Sequence, residues 1–300
     1  MTNEPMSPTT VLNGRMTVRQ VPFSFARTPN HWNKAKPEFS HVVNAASLAM
    51  PFLEPYLIRT MRAARPRITD PTLQTELDFY VRQEATHYKK HRAFNDTLAD
   101  AGYVCIAGLE SRLAEDYQAL ESRCSDRFNL AYAEGFESMA LAIGEMLIQD
   151  REYLFGGSDP AVASLVLWHF VEEIEHKNVT FDVFAHLYGN YFWRMIGLVT
   201  ASAHIFWRTG QGYRALLKED GLWANRTSRW QMVKLLLRIF KQLTPKWLRI
   251  WRPGYHPSQI KDPQWGRDWA ALFAHNPVGT ANLDTLQLSA SSPMPDLSRY

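Results

Sequence analysis

Apolar residues recur at helical spacing over most of the chain between Pro37 and about Gly212. Strand-like alternation of apolar and polar residues never extends beyond a few positions there, so the pattern favours helices. Segments rich in proline and glycine, which end helices, interrupt it at 66–71, 102–108, 156–160 and Gly189. The predicted helices are near 41–65, 72–101, 109–124, 128–154, 160–187 and 191–212. Most of them are about 20–30 residues long, which is typical of a helix bundle.

The two ends of the chain differ from this central region. Residues 1–36 are rich in Pro, Thr and Asn and predict an extended N-terminal arm. Residues 37–215 form the predicted bundle, and residues 216–275 form a basic, Trp-rich helical extension. Residues 276–300 are polar, contain Ser and Pro, and predict a disordered tail. We therefore predict an all-α fold, a helix bundle with additional C-terminal helices.

Composition excludes several classes of protein. Hydrophobic residues make up 46% of the 300 residues, which is enough for a large core and excludes a wholly disordered chain. The two cysteines, Cys105 and Cys124, provide no disulfide framework and suit a reducing compartment. Residues 1–35 contain no continuous apolar stretch of the kind that a secretory signal needs. We expect a cytoplasmic protein.

Positive charge is concentrated between Arg194 and Arg252, where twelve Lys and Arg residues accompany only Glu219 and Asp220. Five tryptophans are interleaved with these cations: Trp207, Trp223, Trp230, Trp247 and Trp251. Tryptophan beside lysine or arginine suits the headgroup boundary of a membrane, so we consider peripheral membrane contact through residues 216–252. A solvated basic helix packed on the bundle explains the same pattern, and nucleic acid is not an expected partner. The apolar run 195–207 is shorter than the roughly 20 residues of a membrane span and predicts a buried helix.

The stretch WHFVEEIEHKN, residues 168–178, carries five His and Glu side chains between apolar flanks. At 100° per residue on a helix, His169, Glu173 and His176 fall within a sector of about 60°. Glu172 lies at the edge of that sector, whereas Glu175 falls on the opposite side and is predicted to face water. A buried carboxylate without a partner costs several kcal/mol, so it must be protonated, paired with a cation or bound to a metal.

Three other predicted helices carry matching residues. Glu84 and His87 form an E-x-x-H pair in QEATH, and His91 follows on the same side of that helix. Glu137 lies among apolar residues of helix 128–154, and Glu54 lies on helix 41–65. One inward Glu on each of two helices, with E-x-x-H on each of two others, is the ligand set of ferritin-like di-iron bundles. Glu134 is a rival of Glu137, and buried Glu–His hydrogen bonds without a metal are the structural alternative.

Several segments together resemble the bacterial family labelled predicted metal-dependent hydrolase. The resemblance covers about residues 17–215 and rests on VRQVPFSF, YVRQEATHYKKHRAFN, GFESMALAIGE and WHFVEEIEHKNVTFDVF. It implies a hydrolase that binds metal. Many members place His after the third-helix glutamate, where this chain has Ser138.

The order of ligands is also similar to that of the di-iron amine N-oxygenases, of the p-aminobenzoate N-oxygenase type. Those enzymes have a further histidine one turn before the last E-x-x-H, which makes His169 a candidate seventh ligand. Carboxylate and imidazole ligands suit iron or manganese, and we predict two ions, iron with manganese as the alternative. The predicted ligands are Glu54, Glu84, His87, Glu137, His169, Glu173 and His176, and the neighbours that would support them are His91, Glu134 and Glu172.

Three functions are compatible with this site. The first is a di-iron enzyme that activates O₂ to oxygenate a small organic substrate and needs an electron donor. The second is a hydrolase in which two cations activate a bridging hydroxide. The third is a metal-binding, membrane-docked protein without catalytic activity.

Overall fold

Helices dominate the residues that the computed structural model describes, which are 9–12, 16–26, 28–29 and 31–296. The larger helices are α1 (Pro37–Ser47), α2 (Met50–Ala64), α3 (Pro71–Asp100), α4 (Cys105–Arg123), α5 (Asp126–Gln149), α7 (Pro160–His176), α8 (Val179–Leu187), α9 (Tyr191–Glu219), α10 (Arg226–Ile250) and α11 (Gln264–His275). Two short helices are α6 (Arg151–Phe155) and α12 (Pro277–Thr280), and two strands are β1 (Thr9–Leu12) and β2 (Met16–Arg19). The prediction of an all-α fold is confirmed.

The helix ends follow from local sequence. Asp70 accepts hydrogen bonds from the first free N–H groups of α3, and Asp159 does the same for α7. The predicted helix 41–65 is two helices in the structure, and Pro51 occupies the first turn of α2, where a missing backbone N–H costs no hydrogen bond. The predicted helix 160–187 is likewise divided into α7 and α8, at Lys177 and Asn178.

Helix α5 forms the centre of the bundle and is buried on nearly all sides. It packs against α9, α7, α8, α2 and α10. The contact with α9 is made by backbone, since a Cβ atom on Gly197 would lie 1.9 Å from the carbonyl oxygen of Ala131. A Cβ atom on Gly135 would lie 2.4 Å from the backbone nitrogen of Leu198. Glycine at both positions therefore allows α5 and α9 to approach each other.

The described part of the N-terminal segment packs on the bundle instead of extending from it. β1 and β2 pair as an antiparallel hairpin, with Thr9 opposite Arg19. β2 packs against α3 and α7, and Met16 and Arg19 are each only 3% exposed. Val21 and Trp32 are buried further along the same segment. The described residues between 16 and 36 thus contribute side chains to the core, whereas residues 1–8 and 13–15 of the predicted arm lie outside the described residues.

Residues 276–296 differ from the predicted disordered tail. Leu283 and Leu288 are buried, and the backbone N–H of Leu283 donates to Ser164 Oγ at 2.9 Å. Thr285 Oγ1 donates to the carbonyl oxygen of Ser158. A few apolar residues, too widely spaced to form a helical pattern, attach this segment to the bundle. Among the described residues, no helix is both long and apolar enough to cross a membrane.

Candidate metal centre

Four helices direct ionisable side chains to one point inside the bundle. The seven residues are at most 5% exposed, and all were predicted from the sequence: Glu54 on α2, Glu84 and His87 on α3, Glu137 on α5, and His169, Glu173 and His176 on α7. The spacing of residues on α3 and α7 brings the members of each helix to one face, as the periodicity predicts.

The seven residues form two groups whose potential ligand atoms lie within 4.8 Å of one another. The first group is Glu54, His87 and His169, and the second is Glu84, Glu137, Glu173 and His176. Both groups could hold a metal ion, and they lie side by side.

Glu173 reaches both groups. Its Oε1 lies 3.0 Å from His169 Nε2 and 3.6 Å from His87 Nδ1, whereas its Oε2 lies 3.3 Å from His176 Nε2. Glu84 is placed in a similar way, because its Oε1 lies 3.6 Å from His87 Nδ1 and 3.3 Å from His176 Nε2. Each of these carboxylates is therefore in position to bridge two cations.

Many polar atoms at this point have no hydrogen-bond partner among the described residues. They are both carboxylate oxygens of Glu54 and of Glu84, Oε2 of Glu137 and of Glu173, Nδ1 of His87 and Nε2 of His176. Burial raises the pKa of Glu54 well above its usual value, and repulsion by Glu84 and Glu173 raises it further. Buried polar atoms are nearly always satisfied in proteins, so this group of atoms fits a bound cation.

Protons compensate the negative charge when no cation is bound. Burial alone would lower the pKa of His87, but the hydrogen bond to Glu172 and the nearby charge of Glu84 raise it to about 10. The negative charges of Glu173 and Glu137 likewise raise the pKa of His176 well above its usual value, against the effect of burial. Metal ions would displace these protons.

His169 is oriented by a chain of neutral groups. Ser47 Oγ donates to Asn95 Oδ1 at 2.6 Å, so it must accept the hydrogen bond from His91 Nδ1 at 2.8 Å. Burial keeps the pKa of His91 well below its usual value, and its neutral ring then offers Nε2 as an acceptor. His169 Nδ1 lies 2.7 Å away and donates to it. His169 Nε2 is therefore free to bind a cation at the centre.

His87 is oriented by Glu172 and Arg19. His87 Nε2 lies 3.0 Å from Glu172 Oε2, and the other oxygen of Glu172 accepts from Arg19 at 3.1 Å. Because Glu172 is an acceptor, His87 donates to it from Nε2 and directs Nδ1 to the centre.

His176 is oriented by Gln83. The Gln83 side-chain amide donates to the carbonyl oxygen of Thr17 and to Glu175, which identifies its oxygen as the acceptor from His176 Nδ1 at 3.1 Å. His176 thus directs Nε2 inward. Each of the three histidines presents one nitrogen to the centre while the other donates outward.

Glu175 does not face water, in contrast to the prediction. Its side chain is 15% exposed and accepts from Arg19 at 2.6 Å and from Gln83 at 3.2 Å. The reason is that the hairpin covers this face of α7 and introduces a cation there. Arg19 itself stacks at 5.7 Å on the rings of Trp269 and Phe273, so α11 closes over it.

Arg19, Gln83, Ser47 and Asn95 were missed by the sequence analysis. For Arg19, the available signal was a single cation within a stretch of alternating apolar residues. In the structure this cation pairs with Glu172 and Glu175 on α7. No local pattern singles out the three neutral side chains.

Glu137 belongs to the centre and Glu134 does not. Tyr80 donates to Glu137 Oε1 at 2.8 Å, and Glu137 Oε2 lies 3.4 Å from His176 Nε2. Glu134, one turn away, instead accepts from Ser138 at 2.8 Å and lies 3.7 Å from Arg194. Ser138 thus contacts Glu134 and not the centre.

A further group of potential ligands lies outside the bundle centre, at the end of α9. Asp220 Oδ2 accepts hydrogen bonds from His41 Nε2 at 2.7 Å and from Tyr103 at 3.0 Å, and it also contacts His31 Nε2. The three residues His31, His41 and Asp220 could hold an ion by distance. Their hydrogen bonds already satisfy the carboxylate oxygen that they share.

Comparison with known proteins identifies one family. The family profile described as predicted metal-dependent hydrolase matches residues 17–261, from the hairpin to the segment after α10. Comparisons with curated proteins and with solved structures found no match.

Proposed function

The chain belongs to the predicted metal-dependent hydrolase family, and from that premise we propose that it is a hydrolase with two divalent metal ions at the bundle centre. One observation carries the proposal. His87, His169 and His176 each donate outward from one ring nitrogen and direct the other towards four carboxylates. Both oxygens of Glu54 and of Glu84, and Oε2 of Glu137 and of Glu173, have no hydrogen-bond donor among the described residues. Imidazole nitrogens and carboxylate oxygens that converge in this way can hold a cation, which would displace their protons.

The charges support two divalent ions. Four carboxylates balance two such ions, so neutral histidines leave the proposed centre without net charge. Glu54, His87 and His169 would hold one ion, Glu137 and His176 the other, and Glu84 and Glu173 both. This donor set suits iron, with manganese as the alternative.

The residues around the proposed ligands position them and exclude water. Bound ions would supply a Lewis acid that activates water for attack on an ester or phosphate ester. Tyr80 holds one oxygen of Glu137 and leaves the other for the centre. Trp168 packs against His87 at 4.9 Å between ring centroids, and Phe170 packs against His169 at 5.2 Å, which excludes bulk water. A centre so enclosed is suited to a small-molecule substrate.

A matched pair of variants tests the metal centre. Glu137→Ala and Glu134→Ala each remove a buried carboxylate from α5, one turn apart. Purified without chelator, the wild-type protein is expected to contain about two iron or manganese ions per chain. Glu137→Ala should retain about half of them, and Glu134→Ala should retain all. Metal lost only from Glu134→Ala, or no metal in the wild type, would contradict the proposal.

A second assay tests the reaction. The iron-loaded and manganese-loaded proteins are incubated with generic ester and phosphate ester substrates. Hydrolysis is expected to fall at least about 100-fold in Glu137→Ala and to be unchanged in Glu134→Ala. A fully loaded protein that hydrolyses none of these substrates counts against hydrolysis and leaves the metal centre intact.

One observation favours O₂ activation as a second candidate. His169 adds a third nitrogen to a site of carboxylates, one turn before the last E-x-x-H, and this order of ligands is similar to that of the di-iron amine N-oxygenases. Reduced iron held by the same residues would activate O₂ for the oxygenation of an organic substrate, with electrons from a separate donor. The test is oxygen uptake by the reduced, iron-loaded protein, compared with its His169→Ala variant. Uptake without ester hydrolysis would replace the first proposal, whereas a loaded protein without either activity would be a metal-binding protein.

A further inference from the structure

The outward face of α10 is apolar, although its opposite face is already buried against the bundle. Five large side chains are between 40% and 64% exposed: Trp230, Val233, Leu237, Phe240 and Leu248. Their spacing places them within a sector of about 80° on the helix. Leu235, Leu243 and Ile250 on the other side are buried. A surface helix normally has charged residues where these five lie.

Helix α9 continues this apolar face. Phe192, Ile196, Val199, Phe206 and Trp207 are between 40% and 75% exposed. The two helices run antiparallel and touch where Trp247 Nε1 donates to Ser202 Oγ at 3.1 Å. Ser202 lies one turn from Val199 and from Phe206, and Trp247 precedes Leu248. The ten exposed residues therefore form one surface on both sides of this contact, which we call the outer apolar surface.

Cations border the outer apolar surface along α10. Helix α10 contains seven Lys and Arg residues and no Asp or Glu. Arg238 and Arg249 pair with Asp150 and Glu145 of α5, which fixes α10 to the bundle. Four others are exposed and form no ion pair with the described residues: Arg226, Arg229, Lys234 and Lys241. They are free to meet an anionic partner.

We propose that the outer apolar surface docks on the headgroup layer of an anionic lipid bilayer. Aromatic and aliphatic side chains flanked by Lys and Arg match the boundary between headgroups and acyl chains. Because the opposite face of α10 is buried in the bundle, the helix would lie in the plane of the membrane. Attachment to α5 fixes its orientation before it binds, so little conformational entropy is lost.

A second copy of the chain fits this surface less well. In a two-fold dimer the same surface meets itself, so the exposed cations of α10 would face those of the partner. No acidic residue of α10 could compensate them. An anionic membrane supplies the missing charge, at about 1 kcal/mol per Lys or Arg near the surface.

Vesicle flotation tests the proposal with the full-length protein. Phosphatidylcholine vesicles with and without phosphatidylglycerol are compared. The wild-type protein is expected to float with the anionic vesicles and to bind the neutral ones far more weakly. Replacing Lys234 and Lys241 with Gln should weaken binding to anionic vesicles about thirtyfold, because two surface charges are removed. The matched control replaces the exposed cations Arg62 and Lys89, on α2 and α3, with Gln and should bind as the wild type does.

A second pair of variants tests the apolar contribution. Leu237→Ser with Phe240→Ser should reduce binding at least about tenfold and leave the thermal unfolding unchanged, since both side chains are exposed. Brominated lipids should quench tryptophan fluorescence in the wild type and less so in Trp230→Phe. Failure to bind either vesicle would overturn the proposal. A dimer in solution that Leu237→Ser with Phe240→Ser converts to monomer would assign the surface to a second copy instead.

Discussion

Two groups of His and acidic residues in this protein look alike in composition and differ in how their hydrogen bonds run. At the end of α9, Asp220 Oδ2 is the common acceptor of His41 and Tyr103, so donors meet one acceptor. At the bundle centre, Glu54 and Glu84 face other carboxylates, and neither has a hydrogen-bond donor among the described residues. In both groups the potential ligand atoms lie close enough together to hold a metal ion.

The difference lies in which nitrogen of each histidine faces the acids. His41 turns a donating nitrogen to Asp220, and its other nitrogen, Nδ1, has no partner among the described residues. In the centre the donating nitrogen of His87 or His169 is already occupied by Glu172 or His91. Residue types alone therefore do not distinguish a metal site from an ion pair, whereas the direction of the outer hydrogen bonds does.

The largest effect is expected on removing metal. A ligand present at a thousand times its Kd stabilises the folded state by about 4 kcal/mol per site. Chelation of two ions should thus lower the Tm by on the order of 10 °C or more. Differential scanning calorimetry before and after chelation measures it, with Asp220→Asn as the control. If Asp220→Asn abolished the decrease in Tm on chelation, the metal would be bound at the end of α9 and not at the bundle centre.

Glu134 offers a third case, a buried acid with one cation and one hydroxyl nearby. Burial raises its pKa to about 7, although Arg194 and Ser138 oppose the shift. Since the folded pKa exceeds the unfolded value, the stabilisation by protonated Glu134 is complete below about pH 4.5 and is lost as the pH rises to 7. Glu134→Gln should remove that dependence.

The effect of Glu134→Gln is expected to be second in size. The difference in unfolding free energy between variant and wild type should grow in favour of the variant by about 3 kcal/mol between pH 4.5 and pH 8. Urea unfolding at several pH values measures this difference, in which other titrating groups cancel. A difference that does not change with pH would show that Arg194 keeps Glu134 ionised throughout.

The sequence predicts the residues of this centre that share one helix, but not the contacts that join distant parts of the chain. His169, Glu173 and His176 share a face because of spacing within one helix, which local periodicity reveals. The partners of the outer nitrogens come from elsewhere in the chain. Arg19 contacts α7 across more than 150 positions, and the helical pattern of α7 therefore assigned Glu175 to water.

Three other features differ in how well the sequence predicts them: the boundary between α1 and α2, the burial of the C-terminal segment, and the exposed face of α10. Pro51 lies at the start of α2, as the sequence alone could have indicated, since proline is favoured in the first turn of a helix and disfavoured further along. The burial of Leu283 and Leu288 could not be predicted, because two apolar residues in a polar segment form no pattern. The exposure of Trp230 and Leu237 also needed the structure, since both faces of α10 carry apolar residues.

A smaller effect is expected from the residues that orient the histidines. Glu172→Gln would retain the shape of the side chain but weaken its hydrogen bond from His87 and its ion pair with Arg19. Such changes beside a metal ligand lower metal affinity about 10- to 100-fold. Competition with a chromophoric chelator measures the affinity. Asp116 pairs with Arg208 and His204 outside the centre, so Asp116→Asn should leave the metal affinity unchanged.

The smallest effect, and the one that most directly separates the two groups, is expected from Asp220→Asn. The amide keeps an oxygen for His41 and loses the charge, so a cost of about 1–2 kcal/mol in unfolding free energy is expected. Metal content should equal that of the wild type, because the carboxylate is already satisfied by hydrogen-bond donors. Metal analysis and urea unfolding on the same preparation measure both. Loss of one ion per chain with little change in stability would mean that His31 and His41 bind metal with Asp220, and the direction of hydrogen bonds would then not suffice to identify a metal site.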